Sequence, residues 1–358
     1  MTRAPPTWDT RLVDAFEGPA QGRPSEGALA AAADWLSRGV PVVIPTETVY
    51  GLAAPAADRR AVAAVFEIKG RPADNPLIAH VTRRAHLDQI GAQLSPLARV
   101  LTERFWPGPL TLVVRCEAEL PWVTAGLDSI AVRHPAHAFA AALIDRAGAL
   151  AAPSANRSGR PSPTLGIHAA RDLAGRVPLV VDGGALEHGL ESTVLDVRGE
   201  HPILLRPGAL PLELIEEALG APIAAAGEHG PARSPGMKYR HYSPRAELWL
   251  YPAGGGTRAR IGQDAAAQTA SGRRVAVIAR EPVPAVRFIP LPADTRELGR
   301  RMFALLFELD ELGVDCILVE GVAARGIGRA VMDRLGRAAT RVRDGGAEPA
   351  RAERQSFE

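Results

Sequence analysis

Short apolar runs alternate with amphipathic stretches from Ser25 to about Leu219, and a second pattern of the same kind follows later in the chain. Such alternation is typical of α/β domains, in which helices cover short buried strands. The 358 residues exceed the usual size of one domain, so two domains are expected. We predict domains at 25–219 and 246–343, joined by a linker at 220–245 that is rich in Ala, Gly and Pro.

Caps, prolines and glycines mark the ends of the predicted helices, and β-branched runs mark the strands. The predicted helices of the first domain are 26–38, 58–68, 95–105 and 136–147. Its predicted strands are 40–44, 77–81, 110–114, 129–132, 179–181, 193–197 and 203–205. In the second domain, strands are predicted at 247–251, 275–279 and 316–320, with helices near 258–270, 294–312 and 328–339.

Composition excludes several classes of function. A net charge of +2 argues against a protein that binds nucleic acid mainly through bulk charge, although a local basic cleft would not show in the total. Cys116 and Cys316 lie far apart with no metal-ligand spacing, so neither a zinc site nor a disulfide framework is expected. Residues 1–24 lack the apolar run of a signal peptide, and we expect a cytoplasmic protein.

Common enzyme motifs are also missing. Lys69 precedes Gly70 and Lys238 precedes Tyr239, so neither lysine belongs to a P-loop, which needs GK followed by Ser or Thr. The sequence contains no HExxH, GxSxG or kinase motif set. The turn at 326–331 matches half of a dinucleotide fingerprint but has valine in place of the third glycine. A plain turn from strand to helix is the simpler interpretation.

The chain has 42 cationic side chains, of which only Lys69 and Lys238 are lysines. An ammonium is a compact point charge, whereas guanidinium is a planar fork, so these lysines suggest sites for phosphate, with a compositional bias toward arginine as the alternative. Lys69 and Arg71 flank a glycine that allows close backbone approach, and together they could clamp a triphosphate. A solvated charged turn is the alternative.

Further polar clusters follow or precede predicted strands, where an open α/β sheet usually forms its ligand crevice. They are PTETVYGL at 45–52, KGRPADNPLIAH at 69–80, SIAVRHP at 129–135, APSANRSGRPS at 152–162, EST at 191–193 and RPG at 206–208. Arg133 ends an apolar strand, where a guanidinium is costly to bury unless it meets a carboxylate or phosphate. The hydroxyl groups of each cluster could equally serve only as caps and turns. Because every cluster flanks a strand, one sheet can bring them into a common concave site.

The predicted linker contains SPGMKYRHYSP, in which basic and aromatic residues alternate between prolines. Solvated linkers rarely concentrate aromatic residues. We therefore predict a flap over a bound anion rather than a simple connection. The flap residues are Ser234, Lys238, Tyr239, Arg240 and His241.

Taken together, PTETVYGL, KGRPADNPL, FWPGPLTLV, AVRHP, APSANRSG, VDGG, ESTV, LLRPG and SPGMKYRHYSP closely resemble the threonylcarbamoyl-AMP synthase family. The resemblance is to the long form and spans about residues 25 to 340. It implies a YrdC-like twisted open sheet with helices forming a concave site, plus a smaller Rossmann-like α/β C-terminal domain. One departure is the segment 51–56, where the family usually has a second glycine and an aspartate.

The resemblance implies an enzyme that condenses L-threonine, bicarbonate and ATP to threonylcarbamoyl-AMP and pyrophosphate, with Mg²⁺ expected. The product would pass to a threonylcarbamoyl transferase for N6-threonylcarbamoyladenosine modification of tRNA. By motif position, the residues expected to contact threonine are Thr48, His80, Arg133, Ala152 and Ser192. Those expected to contact ATP are Lys69, Arg71, Asn75, Ser129, Ser154, Asn156, Ser162 and Arg206.

A second hypothesis comes from another class: a non-catalytic module that binds tRNA or double-stranded RNA on its concave basic face. It predicts tight, steeply salt-dependent RNA binding and no release of pyrophosphate. The neutral donors around Ser154 and Ser192 favour a small-molecule pocket instead. Direct contact with tRNA stays open in either case.

Overall fold

The computed structural model describes residues 7–18, 22–227, 241–254, 256–283 and 287–343. In the first part of the chain, the strands are β1 (Arg11–Asp14), β2 (Phe16–Glu17), β3 (Arg23–Pro24), β4 (Val42–Ile44), β5 (Gly51–Pro55), β6 (Ile78–His80), β7 (Ala92–Gln93), β8 (Leu110–Cys116), β9 (Ser129–Arg133), β10 (Leu150–Ala151), β11 (Leu179–Asp182), β12 (Thr193–Asp196), β13 (Ile203–Arg206) and β14 (Ala224–Ala225). The helices are α1 (Glu26–Ser37), α2 (Arg59–Lys69), α3 (Arg84–Gln89), α4 (Pro96–Phe105), α5 (Pro121–Thr124), α6 (Ala138–Ala147), α7 (Gly166–Asp172) and α8 (Leu212–Leu219).

The second part contains β15 (Glu247–Tyr251), α9 (Thr257–Ala270), β16 (Val275–Ala279), β17 (Arg287–Pro290), α10 (Thr295–Glu311), β18 (Cys316–Glu320), α11 (Ile327–Ala338) and β19 (Arg341–Val342). Every predicted helix and strand is present, with ends shifted by up to two residues. The sequence prediction missed α7, α8 and β5, among other short elements. No helix in these described stretches has the length and apolar character that crossing a bilayer requires.

A mixed sheet of twelve strands dominates the first part of the described chain. Its order is β1-β11-β4-β5-β10-β6-β9-β8-β12-β13-β14, and β7 pairs with β8. Because β1 and β14 belong to it, the sheet extends beyond the predicted domain limits of residues 25 and 219 at both ends. The prediction of an α/β fold is confirmed.

The second part is a parallel sheet of five strands in the order β17-β16-β18-β15-β19. Apolar residues of α10 and α11 cover one face, and those of α9 cover the other. A parallel sheet must bury both faces, and this arrangement satisfies that requirement. The doubly covered sheet matches the predicted Rossmann-like architecture.

The capping residues fix where the first helices begin. The side chains of Ser25, Asp58 and Ser95 each accept a hydrogen bond from a backbone N–H in the first turn of the following helix. Helix α2 ends at Gly70, whose φ of +60° is left-handed, and this turn directs Arg71 away from the helix axis. The local sequence therefore determines how the segment after α2 leaves the helix.

The two parts of the chain share one apolar cluster. Leu190 and Ala209 of the first part pack with Leu298, Met302 and Phe303 of the second. At Gly189, an added Cβ would lie 2.4 Å from the backbone oxygen of Arg300, so no larger residue fits there without displacing the backbone. The contact between the parts is therefore close and includes a shared apolar cluster.

Gly208 allows a similarly close approach within the first part. A Cβ at this position would lie 2.2 Å from the backbone of Ser192 and Thr193, at the start of β12. We expect Gly208→Ala to lower the free energy of unfolding by about 3 kcal/mol or more, because the backbone must move to accept the methyl group. Urea unfolding measures the change.

The control is Gly199→Ala, because a Cβ at that position would have 3.9 Å of clearance. We expect that variant to stay within about 0.5 kcal/mol of the wild type. Equal stability of the two variants would contradict the close packing at Gly208.

Candidate active site

A concave pocket lies against the large sheet. Residues that follow β4 and β10, that end β6, β9 and β13, and that precede β12 line this pocket. The pocket is lined by Thr46, Thr48, Val49, Gly51, Arg71, Ile78, His80, Arg133, Ala152, Pro153, Ser154, Asn156, Arg160, Glu191, Ser192, Arg206, His241 and Tyr242. All six polar clusters identified in the sequence contribute to it.

All five residues expected to contact threonine line the pocket. They are Thr48, His80, Arg133, Ala152 and Ser192. Of the residues expected to contact ATP, the four on the lining are Arg71, Ser154, Asn156 and Arg206. The roles themselves stay predictions, but the structure places these side chains in one cavity.

Arg133 is buried at the end of β9 beside an internal carboxylate. Its Nη2 lies 2.6 Å from Oε1 of Glu47, and its Nη1 donates to Oγ1 of Thr48 at 2.9 Å. Burial would raise the pKa of Glu47, but the adjacent guanidinium lowers it below its usual value, so the carboxylate stays charged. This ion pair fixes the orientation of Arg133 in the pocket.

His80, at the end of β6, is neutral. Burial, reinforced by the positive charge of Arg133, lowers the pKa of His80 to about 3. Its Nδ1 has no hydrogen-bond partner among the described residues. His80 can therefore offer a neutral donor or acceptor to a ligand but adds no positive charge.

Arg71 carries a charge that no carboxylate pairs with among its described contacts. Its guanidinium donates to the carbonyl oxygens of Asn75 and Pro76. Burial is the main cause that lowers its pKa, to about 10, so it stays charged at neutral pH. The side-chain amide of Asn75 is buried, and neither its nitrogen nor its oxygen has a partner in the described part of the chain. Together these groups form a site suited to an anion.

Lys69 does not line the pocket, contrary to the predicted clamp with Arg71. Its buried ammonium donates to the carbonyl oxygens of Ser154 and Asn156, the latter at 2.6 Å. Burial lowers the pKa of Lys69 well below its usual value. Lys69 therefore holds the 154–156 segment in place through hydrogen bonds on the side away from the pocket, and Ser154 and Asn156 of that segment line the pocket.

Three other residues of the predicted ATP set also lie off the lining. Ser162 is buried and donates to Glu191 at 2.6 Å, so it acts on the pocket through that carboxylate. Asn75 lies behind Arg71. Ser129 begins β9 whereas Arg133 ends it, which separates them by about 13 Å at 3.3 Å per residue. The structure therefore gives no geometric support for contact between Ser129 and a ligand in this pocket.

Of the predicted flap, only His241 lies within the described residues, and it lines the pocket. Ser234, Lys238, Tyr239 and Arg240 lie outside them. Burial lowers the pKa of His241 to about 4, with Arg71 and Lys69 contributing, so its imidazole is neutral. The neighbouring Tyr242 is also on the lining.

The sequence analysis assigned no contact role to Thr46, Arg160, Glu191 or Tyr242, yet all four line the pocket. Their proximity to assigned residues in the same clusters was the available signal. Conversely, the phenol of Tyr50, expected at the crevice, is buried and donates to Asp182 and to the carbonyl of Gly184, both at 2.8 Å. Tyr50 connects two loops rather than facing a ligand.

The charge of the lining comes from four arginines and one glutamate. Glu191 is paired with Arg334, and nearby Glu47 with Arg133. No cluster of three or more His, Cys, Asp or Glu that could hold a metal occurs within the described ranges. These residues do not fit a Mg²⁺ ion held by the protein, because both carboxylates already serve as counterions to arginine.

Two family models match the chain. A model described as "Telomere recombination", covering the Sua5, YciO and YrdC proteins, matches residues 34–208. A model described as "Threonylcarbamoyl-AMP synthase, C-terminal domain" matches residues 210–340. The two matches follow each other in the order that the resemblance to the long form implied.

Curated relatives match over nearly the full chain. The threonylcarbamoyl-AMP synthase of Pyrococcus abyssi is 44% identical over 88% of this chain and 95% of its own length. The chain belongs to the threonylcarbamoyl-AMP synthase family. The Bacillus subtilis synthase is 42% identical over 87% of this chain and 92% of its own length, and the Schizosaccharomyces pombe synthase is 37% identical over 95% and 98%.

A solved structure agrees with this assignment. The crystal structure of P. abyssi Sua5 complexed with L-threonine has a TM-score of 0.86 and 42% identity, and the match covers 92% of this chain and 97% of that one. The predicted family and two-domain fold are confirmed. The comparisons favour a synthase over the alternative of a non-catalytic RNA-binding module.

The neutrality of His80 predicts how stability depends on pH. The unfolded chain binds a proton on this histidine below about pH 6.5, whereas the folded protein does so only near pH 3. Between these values the unfolded state binds more protons, so acidification lowers the free energy of unfolding. At pH 5 the loss from His80 should be about 2 kcal/mol relative to pH 7.5.

Urea unfolding of wild type and His80→Gln at both pH values tests this prediction. The loss on acidification should be smaller in the variant by about that amount. His201→Gln changes an exposed histidine and should behave like the wild type. If wild type and His80→Gln lost the same stability, His80 would not be neutral in the folded protein.

Proposed function

We propose that the chain condenses L-threonine, bicarbonate and ATP to threonylcarbamoyl-AMP and pyrophosphate. The observation that carries the proposal is one pocket in which a fixed guanidinium, Arg133, and a group of anion-binding donors around Arg71 lie together. An amino-acid carboxylate and a polyphosphate need different receptors, and the pocket offers both. The threonine complex of the P. abyssi relative supports the amino-acid part.

Threonine would lie against the ends of β6 and β9. Arg133 can receive its carboxylate because Glu47 and Thr48 already hold the guanidinium in place. Neutral His80 and the hydroxyl of Ser192 can then bind the amine or the side-chain hydroxyl without adding charge. Ala152 limits the space on the facing wall. Such a site selects for a small polar amino acid.

The phosphates of ATP would lie between Arg71 and Arg206. Arg206 donates to the backbone oxygen of Ser192 at 2.9 Å and to its Oγ at 3.2 Å, which connects the two halves of the pocket. The 154–156 segment adds neutral donors. Arginine forks match phosphate oxygens in geometry as well as charge.

The reaction needs no nucleophile from the protein. The amine of threonine attacks the carbon of bicarbonate to form a carbamate, and water leaves. A carbamate oxygen then attacks the α-phosphorus of ATP, and the bond to pyrophosphate breaks. The protein's contribution is to position three reactants and to stabilise the charge on the leaving group with fixed arginines. Magnesium, where present, would enter as part of the ATP complex, because the pocket carboxylates are already paired.

The use of the product belongs to the same proposal. We infer that threonylcarbamoyl-AMP passes to a separate threonylcarbamoyl transferase, which modifies tRNA in the cytoplasm. Direct contact of this chain with tRNA is not needed for the proposed reaction.

A substrate screen tests the proposed activity. The purified protein is incubated with ATP, labelled bicarbonate and each of the twenty amino acids in turn. Pyrophosphate and a labelled acyl adenylate should form only with threonine, or far faster with it than with serine. Binding of RNA without pyrophosphate release in any mixture would overturn the proposal in favour of the RNA-binding module.

Arg71→Ala tests the phosphate site. Removing this unpaired guanidinium should lower kcat/KM for ATP by about 100-fold, the usual effect of losing one charged donor to a transition state. The control is Arg59→Ala, which changes an exposed residue at the start of α2, the helix that precedes Arg71. Unchanged kinetics of Arg71→Ala would exclude contact between Arg71 and the phosphates.

Lys69→Arg tests whether a compact ammonium is needed under the pocket wall. A guanidinium is too large for the buried position between the carbonyl groups of Ser154 and Asn156, so it should displace the segment. We expect the rate of pyrophosphate release to fall at least about tenfold, although arginine also supplies N–H donors. Pyrophosphate release and thermal melting are measured together, and a fully active variant would show that any N–H donor suffices at this position.

A further inference from the structure

Arg334 of helix α11 is a fully buried arginine that reaches out of the second part of the chain to the pocket wall. Its Nε donates to Oε2 of Glu191 at 2.7 Å. Its Nη1 contacts the carboxylate of the neighbouring Asp333. A buried guanidinium is costly, so its position indicates a specific requirement for charge at this point.

Glu191 is the carboxylate that Arg334 neutralises, and it belongs to the pocket lining. Its other oxygen, Oε1, accepts the hydroxyl proton of Ser162 at 2.6 Å. The next residue, Ser192, accepts from Arg206, so the segment adjoins the phosphate donors. An uncompensated carboxylate here would repel the phosphates of ATP in a poorly screened environment.

The same guanidinium also contacts Tyr242, which lies in the predicted linker, next to His241, where the described chain resumes. The carbon at the centre of the Arg334 guanidinium lies 5.3 Å from the ring centroid of Tyr242, which is within cation–π range. The Tyr242 ring also packs on Phe303 of α10 at 5.4 Å, and its backbone φ of +66° is rare for a residue with a side chain. Arg334 thus contacts two elements of the pocket lining, Glu191 and Tyr242.

A second ion pair crosses the same boundary with the charges reversed: the first part supplies the cation and the second part supplies the anion. Arg160, also on the pocket lining, donates to the buried carboxylate of Asp310 in α10 at 2.7 Å. Asp310 in turn accepts from the backbone N–H of Arg245, at the start of the second part. Two charged residues of the pocket therefore have their counterions in the C-terminal part of the chain.

We propose that Arg334 is a positioning residue for the synthase reaction: by neutralising Glu191 and supporting Tyr242, it makes the C-terminal domain part of the ATP site. The inference rests on the proposed function. Arg334 touches neither substrate nor reacting atoms, and it acts through the two residues that it contacts. The C-terminal domain then contributes to ATP binding and not only to stability.

A double-mutant cycle tests this charge compensation. The proteins are wild type, Glu191→Gln, Arg334→Met and the combination of both changes, all as the full chain. Arg334→Met leaves Glu191 unpaired beside the phosphates, so we expect KM for ATP to rise at least about tenfold. The combined variant removes the offending charge as well, so its KM for ATP should return to within about threefold of the wild type.

A merely structural role makes a different prediction. It would lower melting temperature and active fraction without changing KM for ATP, and the combined variant would then show no kinetic rescue. Either unchanged KM in Arg334→Met or failure of the combined variant to recover would overturn the inference. If Arg334→Met does not fold, the combined variant alone tests the inference. A KM for ATP more than about tenfold above the wild type in that variant would exclude charge compensation.

The matched control is Arg329→Met on the same helix. Arg329 also pairs across the boundary, with Glu213 at 3.1 Å, but neither residue lines the pocket. Its KM for ATP should stay within about twofold of the wild type. The activity of the wild type separates the two proposals. If the wild type releases no pyrophosphate in the presence of threonine and bicarbonate, the proposed function is wrong. If the wild type is active and Arg334→Met has an unchanged KM for ATP, only the inference about Arg334 is wrong.

Discussion

Buried ion pairs between arginine and glutamate are the interaction on which the pocket depends. Glu47 holds Arg133 at the end of β9, and Arg334 neutralises Glu191 where β12 begins. Removing either partner would leave a buried charge, which is far more costly than the pair is stabilising. The pairs therefore specify geometry more than they add stability. They allow a strongly polar cavity to exist at the edge of an otherwise apolar sheet.

The sequence predicted the fold well where apolar periodicity and caps agree. Helix α2 is an example, since Asp58 caps its start and Gly70 ends it. Strand β5 was missed because Gly51–Pro55 is composed mainly of small residues with weak strand preference; its pairing with β4 and β10 supplies the order that local sequence does not. Helix α7 was missed as well, and so was α8, although strong helix formers and the left-handed Gly220 at its end are local signals for a helix.

The sequence predicted the site where residues at the ends of several strands come together in the folded protein. Residues at those ends, such as His80, Arg133 and Arg206, line the pocket, because loops that follow neighbouring strands meet at one side of a sheet. Lys69 and Tyr50 belong to the same motif clusters but lie off the lining, where each donates to a backbone carbonyl group. Arg334 was assigned no role, because nothing in the local sequence indicates a partner that lies 143 positions away in the chain.

Gly189 lies where the backbones of the two parts nearly touch, two positions before Glu191. Any side chain there would displace the backbone, and the displacement would pass along two peptide units to Glu191 on the pocket lining. The dimensions of the pocket thus depend partly on the absence of a methyl group outside it. A substitution at Gly189 could therefore change the affinity for a ligand without changing any residue of the pocket lining.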